Sequence, residues 1–166
     1  MANSSLSGRY TVLMDNRGRI SFPAAFRAAI GEKLYISPKL YQNVLVVRSE
    51  ADYIAYRDKL LAAGEKNGDS DLDTEEDIRD FCMMTATVVP DKNGRITIPD
   101  ELVSYAGITS GKAAVLGIVD YAEIWDSEEL KAYEEKRKAI RERKRRLMEM
   151  DRDARYKARE KAVDGV

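Results

Sequence analysis

The sequence predicts an α+β fold in which two copies of one small β-rich unit are followed by a long charged helix. Two observations carry this prediction. A nine-residue pattern occurs at residues 15–23 and again at residues 91–99, an offset of 76. From Ser127 onward the chain is dense in charged residues and is predicted as one helix. A pattern that recurs at a fixed offset indicates a repeated structural unit.

The repeated pattern is Asp-x-x-Gly-Arg-Ile-x-x-Pro, with Ser or Thr at its seventh position and Phe or Ile at its eighth. Aspartate three residues before glycine is a turn signal, because the carboxylate can accept a backbone N–H two residues on and glycine tolerates positive φ. We therefore expect Asp15 and Gly18 to shape a turn in the first copy. Asp91 and Gly94 are expected to do the same in the second copy.

A strand is predicted after each turn. Ile20 and Phe22 alternate with Arg19 in the first copy, and this period of two is typical of a half-buried strand. The same alternation in the second copy places Ile96 on the inner face and Arg95 on the outer face. Each copy should therefore present one arginine to solvent beside its turn.

The remaining elements follow from shorter signals. Pro23 and Pro99 favour the first position of a short helix, and β-prone segments flank both repeated patterns. The further predicted strands are residues 10–14, 34–36, 44–47, 85–89, 113–119 and 122–125. The chain is thus divided into a first repeat (5–52), linking helices with an acidic linker (53–84), a second repeat (85–128) and a charged C-terminal helix (129–166).

The composition argues against an enzyme. The 166 residues include no histidine, which removes histidine-based triads and the usual zinc sites. The single Cys82 excludes a disulfide framework within the chain and is expected to be buried. Residues 107–112 have the outline of a phosphate-binding loop, but three residues separate the glycines and Ala113 follows the lysine, so we reject that motif. We predict no catalytic residue, no metal and no cofactor.

Charge and hydropathy give two further expectations. No apolar run is long enough to span a bilayer and no signal-peptide pattern is visible, so we expect a cytoplasmic protein. Formal net charge is -1, so any contact with nucleic acid must rely on local patches. Residues 136–159 hold 12 Lys and Arg against 4 Asp and Glu. This basic segment is either a nucleic-acid contact or a solvated helix or oligomer contact, and we favour the second interpretation.

The duplicated loops resemble those of the MraZ family, transcriptional regulators of the bacterial division and cell wall gene cluster in the SpoVT-AbrB superfamily. Gly8 lies seven residues before Asp15, as in the family, and residues 106–108 and 123–125 also match family segments. The resemblance covers about residues 5 to 135. Two departures keep the local charge: Arg17 stands where lysine is more frequent, and the second copy has Asn93 there with Lys92 just before it.

The resemblance implies several properties. The fold would be an AbrB-like swapped-hairpin β-barrel, with the two copies forming one pseudo-dimeric unit within a single chain. The chain would form a ring-shaped homo-oligomer, associate with the nucleoid and bind double-stranded DNA at short direct repeats near a promoter. The Asp-x-x-Gly-Arg loops would make the DNA contact.

Four basic residues are the candidates for that contact: Arg17, Arg19, Lys92 and Arg95. Arginine can donate two parallel hydrogen bonds to guanine, whereas lysine and loop N–H groups suit phosphate oxygens. The first loop has two arginines and should carry more of the contact. Each loop could instead be a plain turn with a solvated or Asp-paired arginine. On the functional level, the alternatives are a ring-forming scaffold without a direct DNA role and a superfamily antitoxin, which the duplication disfavours.

Overall fold

A computed structural model describes residues 5–66 and 72–165 of the chain. They form two compact units, one that ends at Glu128 and one that begins at Glu129. In chain order the elements are β1 (Arg9–Leu13), β2 (Arg19–Ser21), α1 (Ala24–Ile30), β3 (Leu34–Pro38), β4 (Leu45–Arg48), α2 (Glu50–Lys66), α3 (Leu72–Met84), β5 (Ala86–Val88), β6 (Arg95–Thr97), α4 (Asp100–Tyr105), β7 (Lys112–Ile118), β8 (Tyr121–Asp126) and α5 (Ser127–Asp164).

Six strands form one antiparallel sheet in the order β1-β7-β8-β4-β3-β5. Strands β1, β3 and β4 of the first repeat correspond to β5, β7 and β8 of the second. When these are exchanged, the strand order is the same read from either end of the sheet. The first strand of each repeat is exchanged, since β1 pairs with β7 and β5 pairs with β3. The two halves meet where Leu45 lies opposite Ile124 and Val46 lies opposite Glu123. The sheet therefore has the approximate two-fold symmetry that a duplicated sequence allows.

Strands β2 and β6 form a separate two-stranded antiparallel ladder. Ile20 pairs with Ile96, its own counterpart at the offset of 76, so the ladder is symmetric about this pair. Both isoleucines are buried, as are Phe22 and Ile98 two residues further on. The inward positions predicted from the alternation are confirmed.

One hydrophobic core connects the sheet, the ladder and the short helices of both repeats. Phe26 of α1 and Leu102 of α4 are almost fully buried in it. Burial of aromatic and leucine side chains stabilises a fold by about 1.5–3 kcal/mol each. Because each repeat supplies one helix and part of the sheet, neither repeat completes the core by itself.

The α+β class and the long charged C-terminal helix are confirmed. Helix α5 is continuous from Ser127 to Asp164, and its side chains are exposed from residue 131 onward. Within the described residues, none of the helices combines the length and the apolar character that crossing a bilayer requires.

Three local expectations need correction or restriction. Pro23 and Pro99 are the N-cap residues of α1 and α4, one position before the predicted one. Cys82 is exposed, so the expectation of a buried thiol is wrong: on α3 it is the preceding Phe81 that is buried. Much of the predicted acidic linker is helical, in α2 and α3, and residues 67–71 lie outside the described residues.

Candidate nucleic-acid interface

The first Asp-x-x-Gly-Arg loop is a turn closed by its own aspartate. Asp15 Oδ1 accepts hydrogen bonds from the backbone N–H groups of Arg17 and Arg19, both at 2.9 Å. Gly18 has a φ of 72°, in the left-handed region that favours glycine. The Arg19 side chain folds back, and its Nε donates to Asp15 Oδ2 at 2.6 Å.

The second loop repeats this geometry. Asp91 Oδ1 accepts from the backbone N–H groups of Asn93 at 2.8 Å and Arg95 at 3.0 Å. Gly94 has a φ of 75°, and Arg95 Nε donates to Asp91 Oδ2 at 3.2 Å. The two loops therefore have the same turn geometry, including the hydrogen bond between the arginine side chain and its aspartate.

Hydrogen bonding keeps both aspartates ionised. The backbone N–H of Arg19 is the largest influence on Asp15 and lowers the pKa of that carboxyl below its usual 3.8, with the Arg19 side chain adding to it. The backbone N–H of Arg95 has the same leading effect on the pKa of Asp91. Each arginine therefore faces a carboxylate at neutral pH, which orients the guanidinium without removing its charge.

The β2–β6 ladder places the two arginines on one face. Arg19 lies opposite Thr97, and Arg95 lies opposite Ser21. In an antiparallel ladder, opposite residues project to the same side, so Arg19 and Arg95 are diagonal neighbours at about 7–8 Å by the usual spacing. Their face is the one opposite the buried Ile20 and therefore the outer one.

Two cross-repeat hydrogen bonds fix the loops to the ladder. The N–H of Phe22 donates to Gly94 O at 3.0 Å, and the N–H of Ile98 donates to Gly18 O at 2.9 Å. Each loop is thus held by the strand of the other repeat. The separation of the two arginines is set by backbone hydrogen bonds and not by flexible side chains.

The four predicted basic residues fall into two classes. The side chains of Arg19 and Arg95 are 36% and 42% exposed and are held through Nε. In the part of the chain that the structure describes, no hydrogen bond engages their terminal Nη groups, which are the donors used for bidentate recognition of guanine. Arg17 and Lys92 are exposed on the loops, and no ion pair among the described residues holds either of them.

One basic residue near the loops was missed at the level of sequence. The guanidinium of Arg27, on α1, lies directly over Gly94, where any Cβ would collide with it. Its Nε is buried and has no hydrogen-bond partner among the described residues. Comparison of the repeats could have signalled this residue, because Val103 occupies the equivalent position at the offset of 76.

No metal-binding arrangement accompanies the loops. Among residues 5–66 and 72–165, no three His, Cys, Asp or Glu side chains are grouped so that they could hold an ion. What the loops do offer is a surface of oriented cations, because the aspartates already accept from the turn N–H groups. Such a surface suits polyanions whose phosphates and base edges accept hydrogen bonds.

Comparison with known proteins shows which family the chain belongs to. Residues 5–75 and 81–151 each match the family described as "MraZ protein, putative antitoxin-like". The chain belongs to the MraZ family. The two matched segments correspond to the two halves of the sequence that carry one loop each, so the resemblance inferred from the loops is confirmed.

Several relatives carry the name Transcriptional regulator MraZ. The protein of Mycobacterium ulcerans (strain Agy99) is 33% identical over 129 residues, which is 77% of this chain and 85% of the relative. That of Kocuria rhizophila is 33% identical over 132 residues, 80% of this chain and 88% of the relative. That of Corynebacterium glutamicum (strain R) is 32% identical over the same length and the same shares. The family is thus one of transcriptional regulators and not of enzymes.

Proposed function

We propose that this chain is a sequence-specific DNA-binding regulator of the bacterial division and cell wall gene cluster, which binds short direct repeats near a promoter. The observation that carries the proposal is the pair of Asp-held arginines, Arg19 and Arg95, on one exposed face of the β2–β6 ladder. The relatives named as transcriptional regulators support the regulatory role. In this proposal the protein acts in the cytoplasm at the nucleoid.

The roles of the loop residues follow from their contacts. Arg19 and Arg95 would donate from their Nη groups to guanine O6 and N7, with about 1–3 kcal/mol of discrimination for each good pair. Arg17 and Lys92, which are exposed on the loops, would contact phosphates. Asp15 and Asp91, with Gly18 and Gly94, shape the turns and aim the arginines without touching the DNA.

Assembly would supply the affinity that one chain lacks. Each chain offers only two loops, and its net charge is -1. In a ring-shaped homo-oligomer, loops from several copies face one duplex, and such linkage raises apparent affinity by roughly 10² to 10⁴ without new contacts. The exchanged first strands, β1 on β7 and β5 on β3, support an AbrB-like swapped-hairpin barrel as the unit of that ring.

The test is binding of the full chain to the DNA upstream of its own gene cluster, measured by fluorescence anisotropy against a scrambled duplex of equal length. Binding should weaken steeply with salt, since log K falls by about 0.9 per neutralised phosphate and decade of salt. Replacing Arg19 and Arg95 together by Ala should lower affinity at least about 100-fold, because two base contacts are lost in every chain.

A matched control distinguishes base contact from loss of charge. Arg57 and Arg79 lie on α2 and α3, with side chains 41% and 49% exposed, and both are paired with acidic neighbours. The double change Arg57→Ala and Arg79→Ala removes the same charge and should leave operator affinity within about threefold. Normal operator binding by the Arg19/Arg95 variant would contradict the proposal. An intact ring that binds no promoter fragment would favour the scaffold alternative instead.

A further inference from the structure

A buried arginine lies on the opposite side of the sheet from the hydrophobic core. Arg48, the last residue of β4, is only 7% exposed. Its guanidinium lies 3.9 Å from the ring centre of Tyr56 and 5.3 Å from that of Tyr121. Its one described hydrogen bond runs from Nη1 to Ser37 Oγ at 3.2 Å. A five-donor cation therefore has one described hydrogen bond and two aromatic neighbours, and its remaining donors keep access to solvent.

Among the described residues no acidic side chain forms an ion pair with this arginine, and Asp120 and Asp52 favour its charged form only from a greater distance. In the part of the chain that the structure describes, Arg48 has no carboxylate within ion-pair distance. The nearby Asp52 accepts the Ser49 hydroxyl at 2.6 Å, and Glu123 is held by Lys39 at 2.7 Å. Burial accordingly lowers the pKa of Arg48, although a guanidinium stays protonated at neutral pH. A buried charge without a counter-ion is costly and is normally paired.

The second repeat shows how the same position is satisfied internally. The match of Arg48-Ser49-Glu50 with Asp126-Ser127-Glu128 makes Asp126 the counterpart of Arg48. Asp126 is 3% exposed and accepts from Ser110 Oγ at 2.7 Å, Ser110 N at 3.2 Å and Glu128 N at 3.0 Å. The buried carboxylate of one repeat thus accepts at least three hydrogen bonds, whereas the guanidinium at the matching position of the other repeat has one described hydrogen bond.

Arg48 lines a cleft of about 250 Å³ between β4, α2 and the β7–β8 turn. Its charged lining residues are Lys39, Arg48, Lys59, Asp52 and Asp120, and its apolar walls include Val46, Ala55 and the two tyrosine rings. Lys59 is exposed at the rim, and none of the described ion pairs involves it. The volume equals that of roughly eight liquid waters, enough for a compact organic ion.

We propose that this cleft binds a small organic anion, whose carboxylate or phosphate group accepts hydrogen bonds from Arg48 and whose body packs against Tyr56 and Tyr121. Lys59 would strengthen the attraction at the rim. An anion is favoured over a cation because the deepest charged group is a guanidinium, whose planar donors match carboxylate and phosphate oxygens. This inference does not depend on the proposed DNA contact, since it uses none of the loop residues.

The experiment titrates the full-length, ¹⁵N-labelled chain with benzoate and, separately, with inorganic phosphate. We expect saturable NMR shifts at Arg48 Nε–H and at the Tyr56 and Tyr121 amides, at millimolar concentration or below. Arg48→Gln should weaken binding by about tenfold or more, the size of one charge-assisted hydrogen bond. Arg57→Gln, on the same helix as Tyr56 but outside the cleft, should leave the dissociation constant unchanged.

Two further arms keep the proposal falsifiable. If Arg48→Gln does not fold, Lys59→Gln provides the comparison, because it alters an exposed side chain and should weaken binding about threefold. The proposal would be overturned by absent shifts in the native chain, by an unchanged dissociation constant in Arg48→Gln, or, where that variant does not fold, by an unchanged dissociation constant in Lys59→Gln. Shifts that follow protein concentration and not added anion would also overturn it, because the occupant would then be a carboxylate of a second copy.

Discussion

The two loops are the same turn in different surroundings. Beside the second loop, a cleft of about 360 Å³ is lined by Arg27, Glu32 and Lys92. Beside the first loop, the counterpart cleft has Val103 and Ile108 where the second has Arg27 and Glu32. The turn geometry survives this change because its hydrogen bonds are internal to the loop or run to backbone atoms. The two loops therefore share the hydrogen bonds by which the aspartate orients the arginine, whereas the charged residues around the loops differ.

The strongest test of this comparison is alanine at the two turn glycines. Positive φ costs a non-glycine residue about 1–2 kcal/mol in either loop. At Gly18 a Cβ would also lie 2.5 Å from the backbone oxygen of Ile98, whereas at Gly94 it meets the flexible end of Arg27. Gly18→Ala should therefore destabilise the fold by about 3 kcal/mol and Gly94→Ala by about 1–2 kcal/mol. Chemical denaturation measures both, and a larger loss for Gly94→Ala would contradict the packing argument.

A smaller effect should separate the loops in DNA binding. The first loop carries Arg17 and Arg19, and the second carries Lys92 and Arg95 with Arg27 behind it. We expect Arg17→Ala to weaken operator binding more than Lys92→Ala, by about threefold, because arginine offers two parallel donors in one plane whereas lysine acts as a point charge. Anisotropy at constant salt measures the ratio. Equal losses, or a larger loss for Lys92→Ala, would contradict the expectation that the first loop carries more of the contact.

The smallest expected effect is on the pKa values of the two turn aspartates. A carboxyl whose pKa is lowered by folding stabilises the folded state above its unfolded pKa, and this stabilisation is lost as pH falls through the folded value. Asp15 and Asp91 should both titrate below 3.8, as measured by NMR of the carboxyl carbons. Arg19→Gln should raise the pKa of Asp15 only in part, since the backbone N–H is the leading cause. A complete return to 3.8 would show that the side-chain pair dominates.

The sequence predicted what depends on neighbours along the chain. Asp15 and Gly18 determine their turn locally, and the alternation of Ile20 with Arg19 determines which face is buried. It did not predict that β1 pairs with β7, because strand pairing between repeats is a non-local choice. It also did not predict that Arg48 is buried, since arginine side chains are usually exposed at the protein surface.

Arg27 illustrates the same limit at the candidate site. Its position on α1 predicts only an exposed helix residue, but the ladder brings Gly94 of the other repeat beneath it. The absence of a Cβ at Gly94 then makes room for the guanidinium. Contacts of this kind depend on the register of β2 against β6, which the repeated motif alone does not determine.

Binding of DNA across both loops can be tested by hydrogen exchange of the backbone amides. The full chain should be compared with and without its promoter fragment, with a scrambled duplex as the control. We expect slowed exchange at residues 15–21 and 91–97 with the promoter fragment only, and unchanged exchange over the basic residues 136–159 of α5. Slowed exchange confined to residues 136–159, with both loops unchanged, would contradict it.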